Sequence, residues 1–162
     1  MWIFRSFVNR ISESFILAAP AELARLIRRH AGAQLYDDSG VEPSGIAIYS
    51  MADPRDIRTA RYVGQTSSPR RRFVQHLNTA RLWLPDELPW WVKSPKLRPL
   101  YGWIRELYRD GQRLPVMVVS AWAGTIAEAR VAERTRIYEC LEQGLPVLNV
   151  ESEVLGRQMT LI

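Results

Sequence analysis

From Gly45 to Val150 the chain runs strand, strand, helix, helix, strand, helix, and that order limits the fold more than any single motif. "GIAIYSM" (45–51) and "ARYVGQT" (60–66) are rich in strand-forming residues, and "ADPRDIRT" reads as a loop between them. Ser68-Pro69 has the form of an N-cap and first helical position, which predicts a helix from there to about Leu84. Residues 85–99 hold too many prolines for regular structure. In 100–111, Leu100, Trp103, Ile104, Leu107 and Tyr108 recur at helical spacing, and Gly111 ends the helix. "LPVMVVSAW" (114–122) reads as a buried strand. Thr125 and Glu128 form a capping box for a helix that runs to about Glu142 and stops at Gly144. The expected fold is α+β: a small three-stranded antiparallel sheet flanked by helices.

Ahead of this unit, residues 1–44 read as a helical extension and linker. Leu23, Leu26 and Ile27 share one face of its second helix, and "YDDSGVEPSG" (36–45) is turn chemistry. His30 reads as a surface histidine near a helix C-terminus, and Asp37 and Asp38 as a solvated loop. Residues 151–162 are expected to be a tail. No apolar run approaches transmembrane length, and Arg5, Arg10 and Glu13 interrupt any signal-peptide core, so no membrane partner is expected. The one cysteine, Cys140, cannot form an internal disulfide, which suggests a reducing, cytoplasmic setting. It has no matched histidine and base to make it a nucleophile.

Formal net charge is +5, and of 22 basic residues only Lys93 and Lys96 are lysines. Arginine forks suit phosphate, so a polyanion partner is one reading and a solvated arginine-rich surface the other. The 162 residues contain no phosphate-binding glycine loop, no dinucleotide fingerprint and no zinc-ligand spacing.

Three groups of residues carry chemical interest. Tyr62 and Gly64 lie two apart, hence on one strand face, with room beside the glycine. Tyr49 would reach the same place if the strands pair, or the two tyrosines would simply pack across the strands. Arg72 and His76 lie four apart on one helix face, while Arg70 and Arg71 point elsewhere. The free N–H groups of that helix start also favour an anion. Ala129, Glu133, Ile137 and Leu141 form one row of the last helix, which strands a carboxylate on an apolar stripe. Such a carboxylate is costly unless it is paired or bound to metal, and both readings stand.

Taken together, these stretches resemble the GIY-YIG endonuclease superfamily over residues 45–150. "AIYSMADPRDIRTARYVG" (47–64) stands where that family has its two name motifs, and Arg72 and His76 follow at the family's spacing. "EARVAERTRIYECLEQGLPVLNV" (128–150) looks like its metal-binding helix and closing asparagine. The first motif departs from the pattern. Aligned on Tyr49, its glycine is replaced by Ala47; aligned on Gly45, its tyrosine is lost.

The resemblance implies a metal-dependent DNA endonuclease. Glu133 would hold Mg²⁺ (or Mn²⁺), Tyr49 would be general base or its relay, and Arg72 would stabilise the transition state. Tyr62 and His76 would orient water or phosphate. Gly64, Arg70, Arg71, Lys93, Lys96 and Asn149 would line or support the substrate site. Trp83, Trp90 and Trp91 interleave with Lys93, Lys96 and Arg98, a pattern that either grips nucleic acid or anchors the loop. A catalytically reduced binding module with the same fold is the alternative. A single site that must cut two strands needs a homodimer or two passes.

Overall fold

The computed structural model describes residues 44–82, 89–111 and 113–149. The expected N-terminal helices, most of the 36–45 linker, Trp83 and the 151–162 tail lie outside these residues. Strands β1 (Ile46–Asp53), β2 (Asp56–Thr66) and β3 (Val116–Ala123) form one sheet in the order β2-β1-β3, antiparallel throughout. Helices α1 (Pro69–Ala80), α2 (Arg98–Arg109) and α3 (Ile126–Glu142) flank it, with a 3₁₀ turn at Trp90–Lys93. The expected α+β architecture is what forms. Among the described residues no helix is long and apolar enough to cross a membrane.

Sheet pleating sends alternate side chains to opposite faces. Tyr49, Met51 and Met117 lie in one core with Phe73 and Leu77 of α1 and with Ile104 and Leu107 of α2. Ile48 and Val63 lie in the other core with Ala129 and Cys140 of α3. Each large side chain buried this way contributes about 1.5–3 kcal/mol.

Several boundaries differ from the sequence reading, each for a physical reason. The expected loop at 52–59 is mostly strand: β1 and β2 continue to a tight turn at Pro54 and Arg55. Asp53 closes that turn by accepting from the Arg55 backbone N–H at 2.8 Å. This end of the hairpin is exposed from Asp56 to Arg58, so no apolar alternation marks it. Helix α1 stops at Ala80, not Leu84, because Arg81 takes a left-handed conformation with φ 53°. Arg105 of α2 then donates to the terminal carbonyls of Ala80 and Arg81, both at 3.3 Å. The proline-rich loop is more regular than expected, since it holds the 3₁₀ turn and α2 starts at Arg98. The capping box of α3 forms as read, Glu128 N–H donating to Thr125 Oγ1 at 3.2 Å and Thr125 N–H to Glu128 Oε2 at 3.0 Å.

Candidate active site

The loop from β2 into α1 sets the site. Ser68 N–H donates to Thr66 Oγ1 at 3.1 Å, and Pro69 opens the helix, although the Ser68 side chain makes no capping bond. Phe73, Val74, Leu77 and Ala80 bury one side of α1, and His76 is buried with them. Arg72, one turn before His76, is half-buried, while Arg70 and Arg71 are exposed.

Tyr49 stands directly opposite Gly64, and Met51 opposite Tyr62, so the two tyrosines meet on the diagonal rather than as a direct pair. Their rings lie 6.3 Å apart. The space beside Gly64 is already filled: a Cβ there would meet Tyr49 Oη at 2.6 Å and Tyr62 Cε1 at 3.0 Å. Glycine is needed because the Tyr49 ring lies across the strand at that residue.

Tyr49 Oη and His76 Nε2 are 2.7 Å apart. Arg72 Nε donates to the same hydroxyl at 3.4 Å, and the Tyr49 proton is assigned to the shorter bond, with His76 Nε2 accepting. The other ring nitrogen, Nδ1, then carries the His76 proton, and Tyr101 Oη accepts it at 3.4 Å. Tyr101 went unnoticed in the sequence. It shares a helix face with Leu97 and Ile104, and that spacing was its only signal. The Tyr62 ring meets His76 edge-on at 5.7 Å.

The charge states follow from these surroundings. Burial, and then the positive charge of Arg72, pull His76 down to about 3, so the imidazole is neutral at ordinary pH. Burial raises the Tyr49 hydroxyl far above the usual tyrosine value, and Arg72 offsets only part of this. Burial also raises Tyr62, again against Arg72, with Glu133 adding to the rise. Tyr49 has no exposed surface, whereas Tyr62 is only half-buried.

Glu133 approaches from the α3 side of the sheet. The apolar row does not carry Glu133 into the core: the fully buried residues of α3 are Ala129 and Cys140, and Glu133 is half-buried. Its hydrogen-bond partner is Gln65, Nε2 to Oε2 at 3.0 Å, rather than an arginine. Gln65 also escaped the sequence reading. It follows Gly64 and so points to the α3 face. Burial raises the Glu133 carboxyl; Gln65, Arg134 and Arg72 act against it.

Among the described residues no group of three or more His, Cys, Asp or Glu gathers as a metal cage. A hydrated Mg²⁺ does not need one; it is often held by one or two carboxylates plus phosphate oxygens. Glu133, partly desolvated and with one oxygen steadied by Gln65, fits that donor set.

Asn149 serves the strand edge. Its Oδ1 accepts from Val63 N–H at 2.9 Å and its Nδ2 donates to Val63 C=O at 2.8 Å. With Leu148 N–H donating to the Arg61 carbonyl, it pins the outer edge of β2 between Tyr62 and Gly64. Both the oxygen and the nitrogen of its amide bond the Val63 backbone. Lys93 and Lys96 are exposed. The tryptophans divide: Trp91 is 2% exposed and Trp90 is 67% exposed. No family model, curated protein or solved structure matches this chain.

Proposed function

We propose that this chain is a divalent-metal-dependent nuclease that hydrolyses phosphodiester bonds, DNA first, at Tyr49, Tyr62, Arg72, His76 and Glu133. One observation carries the reading: a single buried hydroxyl, Tyr49 Oη, is shared between a neutral imidazole at 2.7 Å and a guanidinium at 3.4 Å. That arrangement can pass a proton while holding a positive charge ready for an anion. The start of α1 supports it. Three consecutive arginines begin a helix with no acidic residue in its first turn, so their charge adds to the positive helix end. A phosphate would relieve that repulsion.

In the proposed reaction, water attacks phosphorus, a new P–O bond forms, and the bond to the leaving sugar oxygen breaks. Arg72 neutralises charge growing on the phosphate oxygens. Tyr62 orients the phosphate or the water. The proton released by the water passes through the Tyr49 hydroxyl to His76 Nε2, and the leaving oxygen is protonated from solvent. A phosphate that draws Arg72 away also removes the lesser of the two effects that keep His76 neutral, burial being the greater. Glu133 would hold Mg²⁺ or Mn²⁺, which when bound supplies Lewis-acid polarisation of the phosphate.

A second reading draws on the complete burial of Tyr49. A hydroxyl with no route to water would make the chain a nucleic-acid-binding module with reduced catalysis. The deciding experiment incubates the protein with supercoiled, linear, branched and single-stranded DNA, and with RNA, with and without Mg²⁺ or Mn²⁺. Metal-dependent cutting supports the nuclease. Binding without cutting of any substrate supports the module and overturns the nuclease.

A further inference from the structure

Trp90 and Trp91 are neighbours with opposite fates. Trp91 is buried, its indole N–H donates to the Thr79 carbonyl near the end of α1, and its ring packs 5.5 Å from Tyr101. Tyr101 in turn lies 6.0 Å from His76. The 3₁₀ turn is therefore fastened to the candidate active site through two successive ring contacts. Backbone bonds hold it at both ends: Val92 N–H to the Pro89 carbonyl at 3.0 Å, Ser94 N–H to the Trp91 carbonyl at 2.8 Å, and Arg98 N–H to the Ser94 carbonyl at 3.0 Å.

On this fixed mount Trp90 is 67% exposed. Leaving so large an aromatic surface in water is unfavourable. Side chains three apart on a 3₁₀ turn eclipse, so Trp90 and Lys93 share one edge. Lys93, Lys96 and Arg98 are all exposed on the same short stretch. An aromatic face flanked by cations matches one ligand chemistry: a nucleobase that stacks, carried on a phosphate backbone. A base inside a duplex does not offer its face, so the ligand is an unpaired nucleotide.

We propose that Trp90 is a stacking platform for an unpaired nucleobase, with Lys93 on the adjoining phosphate, and that the preferred substrate carries unpaired nucleotides. This deepens the nuclease reading and rests on it. It makes Trp91 the anchor and Trp90 the contact, so each half of the two-way sequence reading applies to a different tryptophan.

The test measures binding of labelled oligothymidylate, oligouridylate and blunt duplex DNA to the full chain without Mg²⁺. The parent is compared with Trp90→Ala, Trp90→Phe, Trp90→Leu and Lys93→Ala. Trp90→Ala is expected to weaken single-strand binding about 10-fold, the size of one lost base stack, and to leave duplex binding within about 2-fold. Trp90→Phe should keep most of the affinity and Trp90→Leu should not. Lys93→Ala should reduce the salt slope on single strands by about 0.7. Comparing the two oligonucleotides shows whether DNA or RNA supplies the base. The proposal is overturned if Trp90→Ala binds single strands like the parent, if it weakens duplex equally, or if leucine substitutes for phenylalanine. Thermal unfolding of each variant verifies that the exposed substitutions leave the fold intact. Cleavage without any Trp90 effect would remove the platform and keep the nuclease. Trp90-dependent binding without cleavage would do the reverse.

Discussion

Tyr49 and His76, on the central strand and the first helix, join through a 2.7 Å hydrogen bond inside the core, and Arg72 touches the same hydroxyl. With the Tyr49 proton assigned to this bond, the imidazole accepts at Nε2. The bond also makes the residue's protonation a property of the fold.

His76 should therefore fail to titrate where an ordinary histidine does. Its folded value of about 3 lies below the usual 6.5, so between these limits the unfolded chain binds more protons than the folded one. His76's contribution to stability is fully present above the unfolded value. It is lost as pH falls through the window, at up to about 1.4 kcal/mol per pH unit. Histidine ring resonances followed against pH, with His76→Gln for assignment, check this. The same substitution should flatten the acid limb of a denaturation series. A His76 resonance that titrates near the ordinary value would contradict the assignment.

Gly64→Ala should disturb the site through Tyr49. The new Cβ would sit 2.6 Å from Tyr49 Oη and 2.7 Å from Cζ, and that ring is fully buried. Overpacking of this kind costs about 1–3 kcal/mol. Denaturant unfolding measures the loss. Cleavage should fall further than the stability change accounts for, because the Tyr49–His76 bond is displaced.

Asn149→Ala should loosen the outer edge of β2. It removes both hydrogen bonds to Val63 and leaves a backbone N–H and carbonyl without those partners. The expected cost is about 1–3 kcal/mol. Hydrogen exchange at the Val63 amide should rise selectively. Unchanged protection there would remove the positioning role.

Much of this arrangement was legible in the sequence because it rests on local periodicity. Tyr62 and Gly64 share a face by the strand period, and Arg72 and His76 by the helix period. The capping box at Thr125 and Glu128 needed only four residues of context. What escaped depends on long-range contact. Asn149 pairs with Val63 across 86 positions, and Gln65 with Glu133 across 68. Glu133 looks buried because its row on α3 is apolar, yet its own contact is with Gln65 on the edge strand β2 and the carboxylate is half-exposed. The outer hairpin was missed because Asp56, Ile57 and Arg58 are all exposed and so carry no burial alternation.

Arg72 separates charge from geometry. Arg72→Ala removes the guanidinium that meets Tyr49, and the expected loss in cleavage rate is about 100- to 1,000-fold. Arg72→Lys keeps the charge without the planar fork and should recover only a small part. Full activity in the lysine variant would mean that Arg72 acts as a point charge alone.

The central claim is that phosphodiester hydrolysis depends on the Glu133 carboxylate. Single-turnover cleavage of the best DNA substrate in Mg²⁺, parent against Glu133→Gln, tests it most directly. Glutamine keeps the size and can still meet Gln65, so the fold should persist. The account predicts a rate at least about 100-fold lower in the variant, with DNA binding in the absence of metal unchanged. Cutting by Glu133→Gln at the parental rate, or a parent that cuts no substrate, would contradict it.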